Sequence, residues 1–369
     1  MERMERGFFG KLLVFVLTIL AIIGLVAMAL SVVCPHINPK HMWQFSFFGL
    51  AFWEIFLFNV LVFFALLLLW SRKAWISVLA LVIAIPGINK SYAFGNRIEN
   101  EDGIRVMSYN VHMFQPIDKK DGSEEYAIQI INLIREQSPD LLCCQEFSTF
   151  NRKIARNKCI EMFSDSIGLP YYYFNTRRNY SGNVIFSKYP IKKVTEGTGF
   201  SKEETYGILV DVDAGEKGSF YLANIHLASF MLTDNELEVL TNTTEHQQAL
   251  DTIGKSVVHK LKYAFANRSN EVKEMLQGLS EKDIPILLCG DFNDTPLSYT
   301  YRRIQKAGFK DAFIAVGKGI KPTYAGKLPL LRIDYMWVND RVIPIRYNRL
   351  SQKLSDHYPI TLEFKLSNQ

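Results

Sequence analysis

The apolar positions of this chain are gathered at its front end. Residues 12–33 (LLVFVLTILAIIGLVAMALSVV) carry no charge, residues 45–70 carry one, Glu54, and residues 74–88 (AWISVLALVIAIPGI) carry none. About 20 apolar residues cross the hydrocarbon core of a bilayer, so the first two runs predict membrane spans. The third is shorter and holds Pro86. It predicts a span if it continues past Asn89 and Lys90 toward Phe94, and otherwise a buried or interfacial segment. The expected anchor is therefore residues 1–95, with helices at 12–33, 45–70 and 74–94. The first run is too long for the apolar part of a signal peptide, and more membrane sequence follows it. Cys34 follows Val33, not the small residue of a lipoprotein site.

Beyond the anchor the pattern changes. Residues 89–103 (NKSYAFGNRIENEDG) are polar and turn-rich, and residues 96–103 read as a linker to a domain over 104–369. Strands are expected at 104–114, 140–146, 183–187, 208–212, 220–226, 286–289, 334–338 and 360–364. Residues 124–138 have Ile128, Ile131 and Ile134 at helical spacing, and Pro139 stops the run. Short strands with few helices predict sheets packed on each other with helices outside. Residues 234–279 depart from this. They are long, charged and amphipathic, with Leu250, Ile253, Val257, Leu261 and Ala264 at helical spacing. They read as one or two inserted helices, packed on the sheet or forming a cap over substrate.

Charge placement changes the picture of the anchor. Arg3, Arg6 and Lys11 precede the first run, Arg72 and Lys73 fill the loop after the second, and only Lys40 lies between the first two. The positive-inside rule puts the N-terminus and residues 71–73 in the cytoplasm. Trp70 and Trp75 flank that loop, and Trp43 lies near the opposite face. With three spans, everything after residue 95 lies on the outer side of the cytoplasmic membrane, the periplasmic side in a bacterium; with two, it is cytoplasmic. The net charge of +5 divides into +4 for residues 1–100 and +1 for the rest. A protein gripping long nucleic acid usually carries a strong basic excess, so nucleic acid is a possible partner but not the favoured one. The five cysteines (34, 143, 144, 159, 289) form no CxxC pair and no zinc spacing, and read as small buried hydrophobes.

Chemistry-bearing residues recur at strand ends. Asn110 ends VMSYN, Glu146 ends LLCCQE and His226 ends LANIH. Asp291 and Asn293 follow ILLCG, Asp334 opens IDYMWV, and Asp356 and His357 precede YPITLEF. A lone Glu after a strand is usually solvated, but six such strand ends make a pattern. Phosphate ester hydrolysis needs such a set. A divalent cation neutralises the anionic ester and polarises phosphorus, and hard cations such as Mg²⁺ or Mn²⁺ take carboxylate oxygens, which Glu146 and Asp356 supply. Histidine is the natural base near neutral pH, and a buried carboxylate fixes its tautomer. Asp334 and His357 suit that dyad, while Asn110 and Asn293 donate hydrogen bonds without adding negative charge.

The strings SYNVH, CQE, YSGNVIFSKYPI, NIHL, GDFNDTP, RIDYMWV and SDHYPITL, in this order over residues 104–366, resemble the endonuclease/exonuclease/phosphatase superfamily. Its members include apurinic endonucleases, pancreatic-type deoxyribonuclease, neutral sphingomyelinases, deadenylases and inositol polyphosphate 5-phosphatases. The resemblance implies an α/β four-layer sandwich of two mostly antiparallel sheets flanked by helices, with the site at one edge. It implies Glu146 as principal metal ligand, with Asn110 and Asp356 on the metal side. Asp291 resembles the carboxylate that orients or deprotonates water, and Asn293 the amide that stabilises phosphate. His357, paired with Asp334, resembles the essential histidine, and His226 the one that contacts phosphate or assists the leaving group. Tyr180 in YSG resembles, more loosely, a tyrosine set against phosphate.

Other polar residues read differently. His112 is expected in a loop, and His246 and His259 on solvated helix faces. Glu54 and Asn59, inside a span, are expected to make interhelical hydrogen bonds. The functional expectation is a membrane-anchored, Mg²⁺- or Mn²⁺-dependent phosphoesterase acting on a lipid headgroup or another small phosphoester. A metal-dependent nuclease is the alternative, and a catalytically silent binding protein on the same fold is remoter. Oligomeric state is not legible.

Overall fold

The computed structural model describes residues 7–95, 102–115, 124–151, 153–178, 181–194, 200, 206–231, 236, 247–279, 283–326 and 330–367. The chain forms two compact units: residues 1–91 with 295–302, and residues 92–294 with 303–369.

In the first unit a helix over Phe8–Val33 packs against helices at Phe52–Leu68 and Trp75–Ile83. The unbroken stretch Phe8–His36 is long and apolar enough to cross a membrane. The other two runs are broken. Pro39–Leu50 and Phe52–Leu68 meet at 50°, and Arg72–Ile83 and Ile85–Ser91 at 41°. The second bend lies beside Pro86, whose ring removes a backbone donor and disfavours a straight continuation. The third helical run ends at Ser91, ahead of a short strand at Ala93–Phe94, and not at residue 94. Each bent pair can count as one span, which makes three. Asn59 makes the expected interhelical bond: its Nδ2 donates to the Gly24 carbonyl at 3.1 Å. A Cβ at Gly24 would lie 2.6 Å from Asn59 Oδ1, so a larger residue at this crossing would displace the Asn59 side chain. Glu54 is exposed instead. Residues 295–302 belong to this unit. Leu297 packs with Met28, Phe52, Ala80 and Ala84, and its carbonyl lies 3.2 Å from Cys34 Sγ.

The second unit has fourteen described strands. In chain order they are β1 (Ala93–Phe94), β2 (Ile104–Asn110), β3 (Leu141–Phe147), β4 (Tyr171–Arg178), β5 (Ser181–Ser187), β6 (Ile191–Lys193) and β7 (Gly207–Asp213). There follow β8 (Ser219–His226), β9 (Ile286–Asp291), β10 (Lys310–Asp311), β11 (Lys318–Gly319), β12 (Asp334–Val338), β13 (Val342–Arg349) and β14 (Ile360–Leu366). One six-stranded sheet runs β13-β14-β2-β3-β5-β4 and another β10-β12-β9-β8-β7-β6; β1 and β11 form a small pair. Within the six-stranded sheets only β2–β3 and β8–β9 are parallel, so both are mostly antiparallel.

Alternation along the strands divides the core. Val106, Cys143 and Ile185 of the first sheet join Leu222, Leu287 and Met336 of the second. Their neighbours Met107, Cys144 and Phe186 face outward onto Ile130, Ile134 and Phe163, which lie on helices Glu124–Gln137 and Arg156–Ile167. Strands covered on both faces read as continuous apolar runs, which is why LLCC and ILLCG show no clear alternation. All five cysteines are buried free thiols, as small hydrophobes would be.

The expected strand at 104–114 ends early, at Asn110. The Asn110 Oδ1 accepts the His112 N–H at 3.0 Å, and residues 112–114 turn with positive φ. A short polar side chain that captures a backbone donor two residues on favours a turn over a strand.

Candidate active site

Strand register assembles one side of the site. In the second sheet His226 pairs with Asp291 across the parallel β8–β9 ladder, and Asp334 pairs with Asp291 across the antiparallel β12–β9 ladder. Three residues remote in sequence thus stand in one row. Gly290 makes the row possible. Its φ is +134°, and a Cβ there would fall 2.0 Å from the Ile225 carbonyl oxygen. Only glycine allows that approach.

The first sheet supplies the facing side. Asn110 pairs with Gln145 at the ends of β2 and β3. The β3–β5 register shifts between Cys144 and Phe147, and Glu146 sits in that irregularity with φ +52°. A bulge re-aims side chains next to sites, and left-handed backbone at a non-glycine residue is local strain of the kind found there. Asn293 shows the same feature, with φ +53°. Asn110 Nδ2 lies 3.3 Å from Glu146 Oε1 and 3.2 Å from Asp291 Oδ2, so this amide joins carboxylates from both sheets. His226 Nε2 stands 3.7 Å from Glu146 Oε1 and 3.8 Å from Asp291 Oδ2.

The dyad expected from sequence forms. Asp334 carboxylate oxygens lie 2.9 and 3.1 Å from His357 Nδ1, both residues being buried. Thr323 Oγ1 accepts the Ile333 and Asp334 N–H groups at 3.0 Å. On the other ring nitrogen, His357 Nε2 is 3.6 Å from Asp291 Oδ2. Ser355 Oγ donates to the Asn110 carbonyl at 2.7 Å, tying the loop before β14 to the end of β2.

Crowding of anions in a largely buried site moves the titrations. Burial pushes the Asp291 carboxyl up to about 7; Asp334 and Glu146 push the same way, and His357 and the Asn293 N–H oppose them. Burial raises Glu146, Asp356 raises it further, and His112, His357 and the Asn110 amide pull it down. For His357, burial disfavours the cation, but Asp334, Asp291 and Asp356 outweigh it and hold the imidazole well above its ordinary value. A cluster of titrations displaced by burial and named charges marks a functional site.

The donor set suits a hard cation. Glu146 and Asp356 are mutually repelling carboxylates, and their ion-pair neighbours among the described residues are histidines: His226 for Glu146, and His112, at 3.9 Å, for Asp356. One donor atom each of Asp291, Asp334 and His357 also lies within 4.8 Å of the others, a second group able to hold a metal ion. Eight predicted residues thus meet at the edges of two sheets; Tyr180 lies outside the described residues, as does His246. His259 is exposed, as expected.

Several contributors escaped the sequence reading. His112, expected as an ordinary loop residue, faces Asp356. The Tyr324 ring meets the His357 ring edge-on at 5.5 Å. Beneath the site Gln145 Nε2 donates to Asn224 Oδ1 at 2.7 Å, and Asn224 Nδ2 to the Cys144 and Val184 carbonyls at 2.8 Å. These buried amides join the two sheets. Their signal was present: an amide inside an otherwise apolar strand, one residue before Glu146 and two before His226.

Residues 107–357 match the model of the Endonuclease/Exonuclease/phosphatase family. The chain belongs to that family. Members are mostly phosphoester hydrolases that use divalent metals. Residues 11–91 match a separate family described as a domain of unknown function, DUF8431. No curated protein matches the chain. Among solved structures, an endonuclease/exonuclease/phosphatase from Beutenbergia cavernae is similar at 17% identity and TM-score 0.50, over 72% of each chain. The human Nocturnin catalytic domain with bound sulfate shares 17% identity at TM-score 0.46, over 73% of this chain and 96% of its own. A mannosyl-6-phosphatase from Bacteroides thetaiotaomicron shares 15% at TM-score 0.44, over 71% and 99%. The first of these supports the fold assignment.

Proposed function

We propose that this chain is a membrane-anchored, divalent-metal-dependent hydrolase of phosphate esters. The observation that carries the reading is the convergence of Asn110, Glu146, His226, Asp291, Asp334 and His357 from both sheets into one largely buried, anion-rich cluster. Glu146, Asp356 and Asn110 are the residues that would hold Mg²⁺ or Mn²⁺. When bound, the cation neutralises the ester's charge and polarises phosphorus.

The chain's own groups have the following parts. Asp291 Oδ2 and His357 Nε2, 3.6 Å apart, act as a coupled pair that takes the proton of the attacking water. Asp334 holds the other end of the imidazole and fixes its orientation. Asn293, whose Nδ2 donates to Asp291 Oδ2 and to the Leu227 carbonyl at 3.1 Å, holds the Asp291 carboxylate and donates to the phosphate by exchanging one of these partners. His226 stands on the opposite side of Asp291 to serve phosphate or leaving group.

The helical unit supports the anchoring. The outward side chains of its helices include Leu12, Phe15, Ile19, Leu61, Phe64 and Val82, all exposed, a surface suited to lipid. With the positive-inside bias at Arg3, Arg6, Lys11, Arg72 and Lys73, three crossings put the catalytic unit on the outer side. That placement and the near-neutral charge of residues 101–369 favour a lipid headgroup or another small phosphoester over nucleic acid. The test is hydrolysis by the full chain in detergent, with Mg²⁺, of phospholipids, phosphoinositides, sphingomyelin, sugar phosphates and nucleic acids in parallel. Turnover of a small phosphoester that stops in chelator is expected; full activity after exhaustive chelation refutes the metal, and turnover of nucleic acids alone refutes the substrate class.

A further inference from the structure

The helix Gln247–Leu276, inserted between β8 and β9, does more than cover the sheet. Its described part buries Val257, Leu261, Ala264, Phe265, Val272 and Met275. Arg268 and Glu271, one turn apart, grip the loop that follows His226. Glu271 Oε2 accepts the Ala228 N–H at 2.7 Å, and Arg268 Nη1 donates to the Ala228 carbonyl at 2.8 Å. Both backbone polar groups of Ala228 are therefore held by this helix. The same guanidinium places Nε 3.4 Å from Asp294 Oδ2, on the residue after Asn293. The Arg268 side chain is fully buried, with the Phe230 and Phe265 rings 4.5 and 5.0 Å from the guanidinium carbon.

A guanidinium in that setting is expensive. Removing a cation from water is costly, and replacing both members of a buried ion pair by apolar side chains is often neutral or stabilising, whereas removing one member alone is not. Stability alone is thus a weak reason for Arg268. Geometry is a better one. The loop after β8 leads from His226 to Ala228, and the loop after β9 leads from Asp291 to Asn293 and Asp294. Asn293 Nδ2 already reaches the Leu227 carbonyl, and the one Arg268 guanidinium joins both loops, by a hydrogen bond to the Ala228 carbonyl and an ion pair to Asp294.

We propose that Arg268 and Glu271 are positioning residues, which set the spacing of His226 and Asn293 by clamping Ala228 and Asp294. The inserted helix is a buttress behind the two loops. The inference rests on the phosphoesterase reading for its effect on rate, but not for its effect on structure.

The test uses the full chain and Arg268→Met, Glu271→Ala and Glu271→Gln, with bis-p-nitrophenyl phosphate and Mg²⁺ as the activity probe. Arg268→Met and Glu271→Ala should each lower kcat at least tenfold with little change in KM; Arg268→Met removes one member of a buried pair and should also melt lower, so kcat is compared well below its melting temperature. Glu271→Gln keeps an acceptor for the Ala228 N–H and should stay within threefold. Hydrogen exchange supplies a readout independent of turnover: Arg268→Met should speed exchange at residues 226–230 and also at 292–294. If the wild type hydrolyses nothing, the functional reading fails while exchange still decides the clamp. Wild-type-like kcat in both Arg268→Met and Glu271→Ala, a loss in Glu271→Gln equal to that in Glu271→Ala, or unchanged exchange at 292–294 would overturn the proposal. Should Arg268→Met fail to fold, the Glu271 pair decides it.

Discussion

Replacing Asp334 by Asn tests the core of the site, since it deletes one charge and almost no volume. The carboxylate lies 2.9 Å from His357 Nδ1, with both groups buried. Two unit charges at that distance attract by about 6 kcal/mol at an effective dielectric constant of ~20. Sparing the burial of a carboxylate returns several kcal/mol of desolvation, and an amide oxygen can still accept a neutral hydrogen bond worth about 1 kcal/mol. A net loss of roughly 2–4 kcal/mol remains, equivalent to about 30- to 1,000-fold in kcat at ~1.4 kcal/mol per decade. Steady-state turnover of bis-p-nitrophenyl phosphate with saturating Mg²⁺ measures it, with a thermal melt to confirm folding. A folded Asp334→Asn protein whose kcat stays within threefold of wild type refutes the dyad. The pair also leaves a signature in chelator. His357 has its folded-state titration raised, so its contribution to stability is complete below its unfolded pKa of about 6.5 and is lost as pH rises through the folded value. The wild-type advantage in unfolding free energy over Asp334→Asn should therefore shrink as pH rises through that window; an advantage that grows would contradict the sign.

Three further outcomes are expected. Glu146→Gln should abolish stimulation by Mg²⁺ at concentrations that saturate the wild type, read by metal titration of activity; an unchanged titration would remove Glu146 from the metal side. Gly290→Ala puts a Cβ 2.0 Å from the Ile225 carbonyl at φ +134° and should cost at least ~2–3 kcal/mol or prevent folding, measured by denaturant unfolding; a near-native midpoint would mean that the two strands can part. A reporter fused after Gln369 that works only when exported should be active, and one that works only in the cytoplasm silent; the reverse pattern means two crossings and a cytoplasmic site.

Much of this protein is local in origin and was readable along the chain. The long apolar runs announce the helical unit because apolarity sustained for about 20 residues has few other uses. The motifs SYN, CQE, NIH, GDFN, RIDY and SDH announce the site because each sits at a strand end, where the chain turns and side chains are free of the ladder. The strand expected at 286–289 and the helix expected at 124–138 were legible for the same reason, since their patterns depend on neighbours in sequence; the strand runs on to Asp291 and the helix ends at Gln137.

What the chain alone did not disclose depends on contacts between distant residues. That His226, Asp291 and Asp334 share one row is a property of ladder register. The early end of β2 at Asn110 follows from a side chain that turns back on its own backbone. His112 stands beside the site only because Asp356, far along the chain, comes to face it. Pro86 could be seen, but not the angle of the bend beside it, 41°. The charged, amphipathic pattern of residues 234–279 does not single out Arg268 and Glu271. Only folding shows Arg268 buried between two phenylalanines, because a lone Arg in a charged run carries no mark of the surface it will meet.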